Sequence, residues 1–137
     1  MKTVIAFVTL CIATALSKKC YSCSYNFPTL SSSALNIPAS HNNCGDPFVK
    51  EGTTVPTQDC SSNCYKLKAE ASGTQVVIRG CGSIVGTSYP CTSGSYDQGG
   101  VSGSLSCCSG DMCNSASGLR ITSGLALAML IAAFLSL

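Results

Sequence analysis

Residues 107–114 read CCSGDMCN, from Cys107 to Asn114. Neighbouring Cα atoms lie about 3.8 Å apart across a trans peptide, whereas a disulfide usually spans roughly 4.4–6.8 Å. Cys107 and Cys108 are therefore poor partners for each other. On an extended segment their side chains point to opposite faces, so each is expected to bond to a different distant cysteine.

Outward from this cluster, both ends of the chain are apolar. Met1 and Lys2 precede TVIAFVTLCIATALS, with small residues at Ala15 and Ser17. One positive charge, an apolar run and small residues predict a secretory signal peptide over 1–17, cut after Ser17. The last residues, ITSGLALAMLIAAFLSL, run apolar to Leu137, and no basic anchor follows the run. A glycolipid-anchor (GPI) signal needs small residues at the attachment site, a polar spacer and a greasy tail. Ser115, the Ala116–Gly124 spacer and the Leu125–Leu137 tail fit that layout. Ser115 is the expected attachment residue, with Asn114 and Ala116 as competitors under the same rule. The segment 115–137 is thus predicted to be the attachment site and a removed propeptide.

Lys18 to Ser115 holds six basic and six acidic residues, a formal charge of zero. No basic patch argues for nucleic acid or anionic lipid. Of eleven cysteines, Cys11 lies in the predicted signal and ten remain. An even number in a secreted chain predicts a disulfide framework. All ten fall within 18–114, which reads as one domain. The sequence contains no Trp, and crosslinks must supplement a small core. CYSC and CSSNC have zinc-like spacing, but the secretory signal and a single histidine, His41, argue against metal. His41, in PASHNNC, is expected in an exposed loop.

Ten cysteines allow roughly nine hundred pairings, and spacing alone does not choose among them. The order C-x2-C, a long gap, five single cysteines and then CC-x4-CN resembles the three-finger family. That family includes snake toxins, lymphocyte-antigen proteins and urokinase-receptor domains. The resemblance implies a small disulfide-rich all-β fold with five bridges: Cys20–Cys64, Cys23–Cys44, Cys60–Cys81, Cys91–Cys107 and Cys108–Cys113. The Cys60–Cys64 interval is shorter than in many relatives, which leaves the local turn open. CGDPF (Cys44–Phe48), CSSNCYK and IRGC look like the sleepless/quiver branch of invertebrate three-finger proteins.

Three candidate β-fingers lie between the cysteines. The middle one, CYKLKAEASGTQVVIRGC, alternates Tyr65, Leu67 and Ala69 with Lys66, Lys68 and Glu70, the period of a half-buried strand. A Gly-containing turn at ASGT pairs Glu70 with Gln75, Lys68 with Val77, Lys66 with Arg79 and Cys64 with Cys81. Tyr65, Leu67, Ala69, Val76 and Ile78 then share one face. Lys66 opposite Arg79 is a like-charge pair, mildly unfavourable in a sheet. An acidic partner would relieve it, but a solvated outer face is the favoured reading. The tip, Ala71–Thr74, lacks the exposed Arg and aromatic groups of receptor-blocking toxins. The first finger is polar and carries Pro28 and Pro38; the third is rich in Gly and Ser. Both are expected to have mobile tips. Tyr25, Phe27, Tyr89 and Tyr96 are candidates either to anchor a partner or to pack on the disulfide core. No N-x-Ser/Thr acceptor occurs.

An enzyme is not expected. CCSGDMC is superficially similar to the CC-x2-H-D-x-C site of secreted phospholipases, but Asp111 stands where the histidine base belongs. No GxSxG element supplies a nucleophile. Asp111 and Asn114 are expected to serve structure, through short backbone hydrogen bonds that close the domain. The sleepless/quiver resemblance instead implies a module on the outer leaflet of the plasma membrane. It would modulate voltage-gated potassium channels or nicotinic acetylcholine receptors in cis, with no cofactor, metal, small-molecule substrate or nucleic acid. Cell adhesion or junction assembly is the alternative. The candidate partner-binding residues are Lys66, Lys68, Glu70, Gln75 and Arg79.

Overall fold

The computed structural model describes residues 18–27, 36–52, 54–84 and 91–115. The predicted signal, the apolar tail with Ala116, Pro28 and Tyr89 lie outside these residues. Among the described residues there are seven strands: β1 Lys18–Tyr21, β2 Cys23–Tyr25, β3 Thr57–Cys60, β4 Cys64–Ala71, β5 Thr74–Cys81, β6 Gly94–Gln98 and β7 Val101–Cys108. Single 3-10 turns occupy Asn42–Cys44 and Cys113–Ser115. β1 pairs with β3, and the others form a five-stranded sheet in the order β2-β5-β4-β7-β6.

The middle hairpin has the register its alternation predicts, from Cys64 opposite Cys81 to Ala71 opposite Thr74. Its turn is Ser72–Gly73, with φ of 51° and 76°. Positive φ at both central residues makes a two-residue connection that matches strand twist. Gly99–Gly100, at φ 65° and 80°, closes β6 on β7 in the same way. The Gly/Ser-rich third finger is thus a regular hairpin, and β7 also pairs with β4 over eight residues.

Residues 28–35 of the first finger lie outside the described residues. Its ends are held by a parallel bridge between Ser24 and Ser40 and by the Cys23–Cys44 disulfide. Pro38 has no N–H to offer a ladder. Its carbonyl instead accepts from Ser24 Oγ at 2.9 Å.

Tyr65, Leu67, Ile78, Ile84 and Leu105 form the buried apolar face, with Phe27, Ile37, Tyr96 and Val101 packed against it. A second core at the base is made of sulfur: Cys20, Cys60 and Cys64, flanked by Cys81, Cys108 and Cys113. The bridges are Cys20–Cys64, Cys23–Cys44, Cys60–Cys81, Cys91–Cys107 and Cys108–Cys113. At about 2–4 kcal/mol each, they supplement a core too small to hold the domain alone. The short 61–63 connection fits because two bridges flank it and Gly82 N–H donates to the Asn63 carbonyl at 2.9 Å.

Candidate functional site

Strand alternation sorts β4–β7 into two faces. The face opposite the apolar core carries three rows across the sheet. The row nearest the base holds Arg79, Lys66 and Ser106; the next holds Val77, Lys68, Ser104 and Ser95; the outermost holds Gln75, Glu70, Ser102 and Asp97.

The base row is not the solvated surface that the sequence suggests. Lys66 is 2% exposed and Arg79 is fully buried. The segment Cys44–Phe48 folds over them and supplies the counter-charge from within the chain. Asp46 Oδ2 lies 3.3 Å from Lys66 Nζ and 3.5 Å from Lys68 Nζ. Arg79 donates Nε to the Cys44 carbonyl at 3.1 Å and Nη2 to the Gly45 carbonyl at 2.7 Å. Its Nη1 donates to the Asn114 carbonyl, and its guanidinium sits 4.8 Å from the Phe48 ring centroid. Lys66 and Arg79 are therefore structural residues and do not reach a partner's surface in this fold.

Burial sets the electrostatics of this row. Desolvation pushes the Lys66 ammonium below its usual range; Asp46 opposes the shift, while Arg79 and Lys68 add to it. Desolvation likewise lowers Arg79 to about 10, with Asp46 again opposing. Asp46 Oδ1 is buried without a hydrogen-bond partner, so this carboxylate is held by its cations alone.

Apart from the buried Val77, the outer two rows are at least partly exposed. The Lys68 side chain is 29% exposed and that of Glu70 46%, with their charged groups 3.9 Å apart. Ser95 and Asp97 are exposed; Ser102 and Ser104 are half-buried. The Gln75 side-chain carbonyl accepts the Asp46 N–H at 3.0 Å, fixing the margin of the face. The result is a patch of hydroxyls with one cation and two carboxylates. A polar face of mixed charge suits a protein surface, where complementarity sets register and on-rate. Of the candidate binding residues, Lys68, Glu70 and Gln75 border this patch. Ser95, Asp97, Ser102 and Ser104 join them unforeseen. The two-residue period of VSGSLS was the signal that would have placed the serines.

The remaining chemically suggestive residues serve the main chain. Asp111 Oδ1 accepts Lys19 N–H at 2.7 Å, and His41 Nδ1 accepts Asn43 N–H at 3.2 Å while capping its 3-10 turn. His41 is half-buried rather than fully exposed. The sulfurs of Cys20, Cys60 and Cys64 lie together because two disulfides stack there; bridged sulfur offers no thiolate to a metal. Tyr25 packs beside Cys23 and Cys44, and Phe27 and Tyr96 pack on the Tyr65 core. Among the described residues, no helix is long and apolar enough to cross a membrane.

A family model described as "Quiver family u-PAR/Ly-6-like domain" matches residues 19–114. No curated protein and no solved structure matches the chain.

Proposed function

The chain belongs to the Quiver family of u-PAR/Ly-6-like domains, and from that premise we propose that it is a GPI-anchored modulator of a membrane receptor or ion channel. Domains of this type are small extracellular modules that bind proteins. The observation that carries the reading is the open pair of rows around Lys68, Glu70, Ser104 and Asp97, displayed by a disulfide-braced sheet. A potassium channel or a nicotinic acetylcholine receptor is the expected partner class, engaged in cis.

Anchoring at Ser115 is consistent with the base geometry. Ser115 ends the closing turn beside β1, where Met112 N–H donates to the Lys19 carbonyl at 2.7 Å. From there β4 runs eight residues to the hairpin tip, roughly 25 Å at strand rise. A lipid at Ser115 would thus leave the polar face standing off the bilayer. Confinement to a leaflet raises effective concentration, so a modest contact suffices.

The test treats cells expressing the full chain with phosphatidylinositol-specific phospholipase C, then captures partners and records current from co-expressed channels. Release from the surface, with loss of the current change, is the expected result. Retention on the membrane overturns the anchor. Surface display with no current change under any channel background favours the adhesion reading.

A further inference from the structure

An open cleft of about 620 Å³ lies at the base of the domain, lined in part by Tyr21, Lys50, Thr54, Pro56, Thr57 and Met112. Two of its lining residues are hydrogen-bonded to the residues that end the domain. Met112 O accepts from Ser115 N and Oγ at 3.4 and 3.2 Å. Tyr21 N–H donates to Asn114 Oδ1 at 3.0 Å, and the Tyr21 carbonyl accepts from Asn114 Nδ2 at 2.9 Å. The Ser115 main chain is thereby held beside the cleft.

We propose that this cleft is the seat of the phosphorylated mannose glycan of the protein's own anchor; the inference rests on the reading of Ser115 as the attachment residue. The chemistry matches. An ethanolamine phosphate joined to the Ser115 carboxyl places a phosphodiester a few bonds from the cleft, where Lys50 supplies a cation. Thr54 and Thr57 offer hydroxyls to sugar hydroxyls. Tyr21, Pro56 and Met112 offer apolar surface to the C–H faces of the ring. The volume falls within the roughly 300–1,000 Å³ of small-ligand sites. A tethered glycan occupies such a cleft at weak intrinsic affinity, because its effective concentration is in the millimolar range. The seated glycan would fix the tilt of the domain on its anchor.

The test uses full-chain protein released from cells by the phospholipase. Mass spectrometry of its C-terminal peptide first establishes whether ethanolamine phosphate is attached and at which residue. Amine-reactive labelling of Lys50 and amide hydrogen exchange over 54–58 are then compared with a secreted form ending at Ser115, which keeps every strand and disulfide but carries no glycan. Lys50 labelling is expected to be about five-fold slower with the glycan present, with exchange over 54–58 slowed in parallel. In the full chain, Lys50→Glu should abolish that slowing of exchange without changing surface level; this arm stands even if the shortened form fails to fold. Glycan at Ser115 with equal labelling and exchange overturns the cleft and leaves the anchor intact. A C-terminal peptide without ethanolamine phosphate overturns both. Protection that persists without glycan means protein fills the cleft, and also overturns the proposal.

Discussion

Asn114 and Tyr21 exchange two hydrogen bonds, Tyr21 N–H to Asn114 Oδ1 at 3.0 Å and Asn114 Nδ2 to the Tyr21 carbonyl at 2.9 Å. The side-chain amide thus pairs with the end of β1 as a neighbouring strand would. Nδ2 also faces the Tyr65 carbonyl at 3.1 Å and the Gly80 carbonyl at 3.5 Å. Asn114 therefore closes the domain through hydrogen bonds to main chain, and these reach across 93 and 49 positions of the sequence.

Asn114→Ala should destabilise the domain by about 2–4 kcal/mol, since it strands a buried N–H and carbonyls at once. Asn114→Asp should fare no better, because a second oxygen would face the carbonyls of Tyr21, Tyr65 and Gly80. Urea unfolding of the secreted domain reads both. A loss under about 0.5 kcal/mol, the level of an ordinary surface change, would contradict this role.

Asp46→Asn should cost about 3–5 kcal/mol, because it leaves Lys66 buried without its counter-charge. Adding Lys66→Met should recover much of that loss. The double-mutant cycle is the decisive measurement: a coupling near zero would mean that the 3.3 Å pair contributes nothing.

The pH response of this row has a definite sign. Lys66 and Arg79 both titrate below their ordinary values because they are buried. The unfolded chain therefore binds more protons from those lowered values up to the ordinary ones, and stability contributed by the row rises with pH across that window. The stability of the parent relative to Lys66→Met should therefore rise as pH climbs toward 10.5, the ordinary Lys value. A relative stability that falls over that range instead would show that ion pairing outweighs desolvation.

Gly80→Ala should cost about 1–3 kcal/mol through overpacking. A methyl there would lie 2.7 Å from Tyr65 Oη and 2.8 Å from Cζ, and both residues sit in a fixed eight-residue ladder. Tyr65→Leu in the same chain should relieve the clash in part, whereas Tyr65→Phe should not. Thermal unfolding of the three combinations separates overpacking from loss of the Tyr65 hydroxyl.

On the open rows, Asp97→Lys and Ser104→Arg should weaken partner capture by about ten-fold or more, near 1.4 kcal/mol, with unfolding midpoints little changed. Lys66→Ala and Arg79→Ala should instead lower the amount of protein reaching the surface. If all four act alike on surface level, the division into interior and docking rows is wrong.

The period-two alternation from Tyr65 to Glu70 made the central hairpin and its register legible, because a one-residue slip would turn Leu67 outward. Cys107 and Cys108 showed by adjacency that they seek separate partners, yet the identity of those partners came from resemblance and not from spacing. The destination of Asp46 was not legible. It lies twenty residues before Lys66, and only tertiary folding of Cys44–Phe48 over the sheet unites them. The like-charge pair Lys66–Arg79 did demand an acid; the chain supplies one internally, so the same signal that suggested an outside partner marks a closed interior. The serines of β7 were hidden by a composition that reads as linker, although their spacing is that of a strand.

The Cys108–Cys113 bridge also determines how the molecule bears tension. A pull applied at Ser115 passes within two residues to Cys113, crosses the sulfur bond and enters β7 at its last residue. β7 is an inner strand, flanked by β4 and β6. Force along its axis loads the β4–β7 ladder in shear, over eight residue pairs together, instead of peeling an edge strand pair by pair. A pull at Ser115 therefore meets the resistance of a whole ladder at once.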